Sequence, residues 1–508
     1  MPGEDRGQRG SGYGLGLSTR TQVTGHQFLA RRMAMALTRW RVRMEVEPGR
    51  RQVLAVVASV SAAVVICLGA LLWSFISPAG TLGDSPIIAD RNTGALYVRV
   101  GDTLYPALNL ASARLITGRA DDPHKVRASQ IAQQPHGPLV GIPGAPSEIS
   151  PTSPATSSWL VCDAVAPTPG VGAGVPAAQP VTVTVIDGAP ALTDRRRVLG
   201  KQDAVLRRYG GNAYVIRDRR RSRINAADRS VLLPLGLAPE QIDHAPPMSQ
   251  ALFDALGVGP ELSVPVVPGS GGPAAFPDAP GPVGSVIVTP QISGPQQYSL
   301  VLANGVQTIS PIVAQVLQNA GGPAAGAPKV VGPSALAKMP VVTGLDLSAF
   351  PDEPLNVVDA KDNPATCWWW QWTTGEDRAL TRLVAGPTVP VGDAKNVVSL
   401  VKTDSSGGQA DHVYFGPDYA NFTVITGNDP SATKGESLWW LSHSGVRYGV
   451  DNTRDVRTAL GLTGNPTPAP WVALRLLTPG PTLSRSDALV EHGALPTDSN
   501  PQELAVPK

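Results

Sequence analysis

The sequence lacks the short motifs by which most enzymes announce themselves. There is no GxxxxGK[ST] segment, whose backbone amides and lysine would cradle nucleotide phosphates. The nearest fragment, Gly427 to Gly435 (GNDPSATKG), places its lysine before the final glycine. Gly10, Gly12, Gly14 and Gly16 are spaced like a phosphate loop but follow no strand, so they read as flexible linker. None of the seven histidines (His26, His124, His136, His244, His412, His443, His492) forms HExxH or another close ligand pair, so no zinc site is indicated. There is no GxSxG nucleophile elbow either. Charge is sparse, at 16% of residues, and lysine is scarcer still: 9 of the 42 basic residues, a bias that suits a GC-rich genome.

Proline and glycine are abundant, at 50 and 53 residues, and proline stands at roughly twice its usual ~5%. With 42% hydrophobic residues the chain can still bury a core, but one built from loops and short strands. Its 508 residues exceed one compact core, so two or more domains are expected.

The net charge of +2 hides an asymmetry. Residues 1–52 hold ten arginines, no lysine and four acids, a balance of +6, and residues 77–508 carry −4. A basic arm joined to a mildly acidic body is not the pattern of a basic nucleic-acid binder, and no nucleic-acid partner is expected.

Between arm and body, Val53 to Ile76 (VLAVVASVSAAVVICLGALLWSFI) runs 24 residues without a charge. About 20 apolar helical residues cross a ~30 Å hydrocarbon core, and a buried soluble helix this long would show a polar face. The stretch therefore predicts one membrane span, with Trp73 near its outer end. Arg50 and Arg51 abut its start, whereas the first basic residue beyond it is Arg91. The positive-inside rule places the N-terminus in the cytoplasm and residues 77–508 outside. Ser77-Pro78-Ala79 resembles a peptidase site, but the apolar run is too long for a signal peptide and is expected to remain as an anchor.

Within the arm, Gly10 to Gly25 reads as disordered, and a helical period appears from Phe28 to Met44. Leu29, Met33, Leu37, Trp40 and Met44 share one face, with Arg31, Arg32 and Arg39 off that stripe, and Pro48-Gly49 is expected to end the helix. A basic amphipathic helix beside a membrane can lie on anionic lipid or dock into a partner's groove, and both readings stand.

Outside the membrane the chain reads as α+β. Four segments share a loose grammar of strand, turn, strand and short helix: 96–118, 213–237, 298–321 and 437–462. Their unequal spacing makes them separate ββα modules, not a solenoid. The runs Val181–Ile186, Ser285–Thr289, Val397–Val401 and Val413–Thr426 are expected to form a central β-domain. Segments 135–154, 264–295, 321–333 and the tail after Pro466 read as stiff linkers. Cys67 lies in the span, while Cys162 and Cys367 lie in strand-like runs in an oxidising compartment. Such a pair usually forms a disulfide, the alternative being two buried thiols. Trp368, Trp369, Trp370 and Trp372 follow Cys367, and Trp439-Trp440 lies in the fourth module. Core packing, a subunit interface and a peptide groove are the three readings of these indoles.

The chain resembles the EccB family, the membrane component of mycobacterial type VII (ESX) secretion systems. The similarity rests on Thr21–Ala30 (TQVTGHQFLA), Ala36–Arg41 (ALTRWR), the single span, Gly94–Gly118 (GALYVRVGDTLYPALNLASARLITG) and the paired cysteines, and runs over essentially the whole chain. Ser18–Gly25 (STRTQVTG), Phe28–Arg32 (FLARR) and Pro290–Leu300 (PQISGPQQYSL) are similar to the branch that exports PE and PPE proteins. The resemblance implies a single-pass inner-membrane subunit partnered by EccC, EccD, EccE and the mycosin protease, with copies meeting through their periplasmic regions. It also implies an ATPase label. Three functions follow: a structural and assembly subunit with no cofactor; an ATPase using ATP and Mg²⁺; or a periplasmic substrate- or cell-wall-binding module.

Overall fold

The computed structural model describes residues 20–39, 48–76, 82–165, 181–402 and 408–495. Two compact units separate at residues 79 and 80.

Among its described residues the first unit holds two helices, α1 (Arg20–Arg39) and α2 (Pro48–Ile76). Helix α1 starts earlier than the sequence suggests, so residues 20–25 are helical and not part of a disordered segment. Pro48, expected to end a helix, instead opens α2. That role suits proline, whose missing N–H is an orphan donor at the first helical position anyway. Gln52 to Trp73 forms a 22-residue apolar stretch with none of its surface buried in protein.

The second unit is mixed α and β. Its centre is a seven-stranded sheet of β1 (Thr156–Val165), β2 (Val181–Asp187), β3 (Arg197–Val198), β4 (Ala365–Thr373), β5 (Leu380–Gly386), β6 (Val397–Ser399) and β7 (His412–Phe415), in the order β6-β7-β2-β1-β4-β5-β3. Strands β1 and β4 pair antiparallel over nine residues, and their register sets Cys162 opposite Cys367.

Four smaller sheets surround it. Each of the segments read as ββα falls in one of them, and each sheet is larger than that grammar. The first consists of antiparallel strands Ile87–Asp90, Leu96–Val100 and Thr103–Ala107, then helix Leu110–Thr117. His124–Val126 then returns parallel to the opening strand, and Leu139–Val140 parallel to the third. The fourth follows the same path through Phe422–Thr426, Lys434–Leu441, Val446–Val450 and helix Arg454–Leu460. Its parallel returns are Thr467–Pro470 and Thr478–Pro479. The third runs through Val286–Thr289, Gln297–Leu302, Gly305–Ile309, helix Pro311–Ala320 and the return Lys329–Val330. The second begins Asp203–Tyr209, Asn212–Arg217 and Arg220–Ile224, with Gly257–Val258 parallel to the last. Its opening strand is paired in parallel by Asn356–Val357, which arrives only after the third sheet is complete. The helices have local reasons to start and stop. Asn109, Ser310 and Thr453 accept hydrogen bonds from the first turns, and Gly118 and Gly461 take left-handed φ of 70° and 76° just past the ends.

Four expectations need correction. Val286–Thr289 belongs to the third small sheet, not the central one. Val413–Thr426 splits between β7 and the opening strand of the fourth sheet. The segment after Pro466 is not a linker: Leu474, Leu476, Leu477 and Leu483 are buried, and Glu491–His492 pairs with Leu139–Val140 of the first sheet. Similarly, the run 264–295 includes the buried strand residues Val286 and Ile287.

The small sheets pack in pairs. The first and fourth share one core, in which Val98 and Leu115 meet Trp440 and Leu460. The second and third share another, in which Val231 and Leu232 meet Ile312 and Val316. The largest core lies on one face of the central sheet, where Trp159, Trp368 and Trp370 pack with Leu252 from the second sheet region and Leu474 and Leu477 from the fourth.

Candidate functional site: membrane anchor and assembly region

In α1, Leu29, Met33 and Leu37 are exposed at 54%, 62% and 83%. They lie four residues apart and therefore on one face. Arg31 and Arg32 are exposed off that stripe. Arg39 is the last residue of the helix. Trp40 and Met44 lie outside the described residues. Along α2 apolar side chains face outward on all sides, from Val53 to Trp73. A helix apolar all round and unburied by protein is built for lipid.

The structure joins Cys162 to Cys367 across β1 and β4, 205 residues apart in sequence. Cys67 is free and exposed on α2. The disulfide lies on one face of the central sheet with Leu160, Ile186, Val384 and Trp369. Strand alternation sends the neighbouring indoles to the other face.

The six tryptophans fall into two groups. Trp368, Trp369, Trp370 and Trp440 are buried within the chain. Trp369 donates to Ser158 Oγ at 2.9 Å and lies under the Arg382 guanidinium, 4.6 Å from its ring centre. Trp372 and Trp439 are half-buried. Trp372 donates to the Glu376 carbonyl. Trp439 lies 5.6 Å from Trp471, and Arg447 sits over both rings. Only these two of the six retain surface for a partner.

Sequence reasoning missed a buried charged cluster at the seam between the central and second sheets. Asp163, one residue past the disulfide, accepts from the Ser249 amide at 2.7 Å and the Ser249 hydroxyl at 2.6 Å. The guanidinium of Arg207, 1% exposed, donates to Thr366 Oγ1 at 2.7 Å and balances the carboxylate electrostatically. Burial pushes the Asp163 carboxyl up to about 6, against the hydrogen bonds from Ser249 and the charge of Arg207. Burial also raises Asp187 well above the usual range, opposed by the Ala420 amide. The available signal was an acid inside an otherwise apolar strand, SSWLVCDAV.

The fragment closest to a phosphate loop, Gly427–Gly435, leads from Phe422–Thr426 into the antiparallel strand Lys434–Leu441. It therefore connects strand to strand, whereas a phosphate-binding loop opens a helix.

A family model described as type VII secretion system ESX-1, transport TM domain B, matches residues 15–497. The chain belongs to the EccB family. It is 69% identical over 510 residues to the ESX-5 secretion system ATPase EccB5 of Mycobacterium tuberculosis H37Rv, covering all of both chains. The EccB5 of Mycobacterium marinum is equally similar. The ESX-3 secretion system ATPase EccB3 of Mycolicibacterium smegmatis is 38% identical, with 96% of this chain and 93% of that protein covered. Among solved structures, a chain of the intact ESX-5 inner membrane complex superposes with a TM-score of 0.79 at 68% identity, over 98% of this chain and all of that one. The EccB3 dimer from the ESX-3 core complex superposes at 0.70 and 35% identity, over 80% of this chain and all of that one. The EccB resemblance carried by the arm, the span and Gly94–Gly118 is thus a family membership over nearly the whole length.

Proposed function

We propose that this EccB protein is a structural and assembly subunit of an ESX-5-type secretion complex in the inner membrane. The observation that carries the reading is the end-to-end match, in sequence and fold, to a chain of the intact ESX-5 inner membrane complex. Helix α2 anchors the protein, the arginine-rich arm lies in the cytoplasm, and residues 77–508 lie in the periplasm. Basic residues support this orientation, since Arg50 and Arg51 abut the start of the span and the first basic residue beyond it is Arg91. Copies associate through the periplasmic region, as the EccB3 dimer does, and the complex includes EccC, EccD, EccE and the mycosin protease. The substrates of such a complex would be PE and PPE proteins.

The relatives carry the word ATPase in their names. We assign the energy supply to a partner subunit, because the arm is too short to bury a nucleotide core and the periplasmic region has no ready supply of ATP. Neither ATP nor Mg²⁺ is then a cofactor of this chain. The decisive experiment is assembly. A strain lacking its own EccB of this branch, supplied with this chain, should regain a large detergent-stable membrane complex containing EccC. A strain that assembles and exports without any such chain would refute the proposal.

A further inference from the structure

The second small sheet carries a strained turn beside a charged cavity. Its hairpin Asn212–Arg217/Arg220–Ile224 turns through Asp218 and Arg219, whose φ are 45° and 68°. Two consecutive left-handed residues are the geometry of a type I′ turn, normally made by Asn-Gly or Gly-Gly. The preceding hairpin of the same sheet does use Gly210-Gly211. At Asp218-Arg219 the chain instead keeps a charged pair in a backbone conformation that L side chains rarely adopt.

Both turn residues line a cavity of about 320 Å³. The register places Arg217 opposite Arg220 and Val215 opposite Ser222, so these four side chains share one face of the hairpin. Val215, Leu262 and Leu355 make an apolar floor, while Arg217, Arg219 and Arg220 supply the charge. With Asp218 as the one acid in the lining, the cavity carries +2. Little of that charge is neutralised locally. Arg219 pairs with Asp218 at 3.1 Å, and Arg217 spends one nitrogen on the Ala349 carbonyl at 3.1 Å. Arg220 is exposed, and its guanidinium makes no hydrogen bond or ion pair among the described residues; Asp346 and Asp429 feel it only at longer range. Deeper in, Ser222 is only 9% exposed and lines the cavity, yet its hydroxyl has no hydrogen-bond partner among the described residues. Gly259 lies directly against that hydroxyl, so any side chain there would strike Ser222 Oγ.

We propose that this cavity binds a phosphate ester. Guanidinium groups offer forked donors that match phosphate oxygens, and the net +2 matches a group carrying about −1.5 to −2. Ser222 Oγ supplies a neutral donor, and the apolar floor takes the carbon portion of the ester. The volume lies in the lower part of the ~300–1,000 Å³ range of small-molecule sites. A soluble phosphate monoester and a lipid headgroup share this chemistry, and the monoester matches the charge better.

The test is calorimetric titration of the full-length protein in non-ionic detergent with inorganic phosphate, glycerol 3-phosphate and short-chain phosphatidylglycerol. Saturable binding of glycerol 3-phosphate, one per chain and tighter than inorganic phosphate, is the expected result. The double variant R217Q/R220Q should weaken it at least ~10-fold. Ser222→Ala, which leaves the charge intact, should weaken it several-fold and keeps the test valid if the double variant fails to fold. Tighter binding of phosphatidylglycerol, with the same sensitivity to both variants, would assign the lipid as the source of the same group. No saturable binding of any of the three, or binding unchanged in both variants, would overturn the proposal.

Discussion

Two pairs of residues tie distant strands of the second unit together. The Cys162–Cys367 bond ties β1 to β4 and closes a loop of 205 residues, for which chain entropy gives up to ~5 kcal/mol. Neither cysteine should label with a thiol reagent until a reductant is added, and replacing the pair should lower stability by a few kcal/mol in chemical denaturation. Ready labelling of the native, unreduced protein would contradict the bond. Asp163 and Arg207 form the second pair. The folded Asp163 carboxyl titrates near 6, above its usual value of 3.8, so between those values the folded state holds a proton that the unfolded chain has released. This contribution to stability is fully present below about pH 4 and is lost as pH rises through about 6. Asp187 adds to the same trend. Asp203, held low by Arg197, works in the opposite sense, and its contribution fades only as pH falls below the usual carboxylate range. The midpoint of thermal unfolding should therefore rise as pH falls from about 6 to about 4. Asp163→Asn should flatten that slope, its amide still able to serve both Ser249 groups. An unchanged slope would remove Asp163 from the account. Of this cluster only Asp163 left a trace in the sequence, as an acid in a strand-like run, because Arg207, Ser249 and Thr366 meet it only through the tertiary fold.

At the scale of elements, legibility followed periodicity. The apolar part of α2 and its end at Ile76 were readable, since 24 uncharged positions leave few alternatives, but its first turn from Pro48 was not. In every small sheet the segment read as ββα began only at the second strand: Leu96, Ala213, Tyr298 and Ser437 all lie in or beside strands that follow an opening one. The opening strands IIAD, VIVT and FTVIT are short and largely buried. Without an exposed face they show no alternation to connect them with the hairpin that follows. The parallel returns are two to four residues long and include prolines, as in Thr467–Pro470, so they resembled linker. For α1 the unpaired apolar stripe sets a testable role. Met33→Asp with Leu37→Asp should impair recovery of the arm with its partner complex while α2 keeps the protein in the membrane fraction. Arg31→Glu with Arg32→Glu should act mainly at low salt if the arm rests on anionic lipid. Full complex recovery with all four changes would show that the arm is not a contact element.

The whole molecule is a tethered assembly unit: an anchor with an arm, and a disulfide-locked sheet ringed by two pairs of small sheets. Under the proposed assembly role, the energy for export comes from a partner subunit. Purified full-length protein in lipid is expected to show no magnesium-dependent ATP hydrolysis that follows the protein through every purification step. Turnover that does follow it, and vanishes with a point mutation in this chain, would make catalysis its function. The most direct test of the structural role is the mass of the membrane complex, measured after mild solubilisation from cells that carry either the full chain or residues 1–79 alone. The full chain should yield one large species with several copies of this protein together with EccC, and residues 1–79 should leave only smaller particles that do not support export. An intact, export-competent complex built on residues 1–79 would contradict the account.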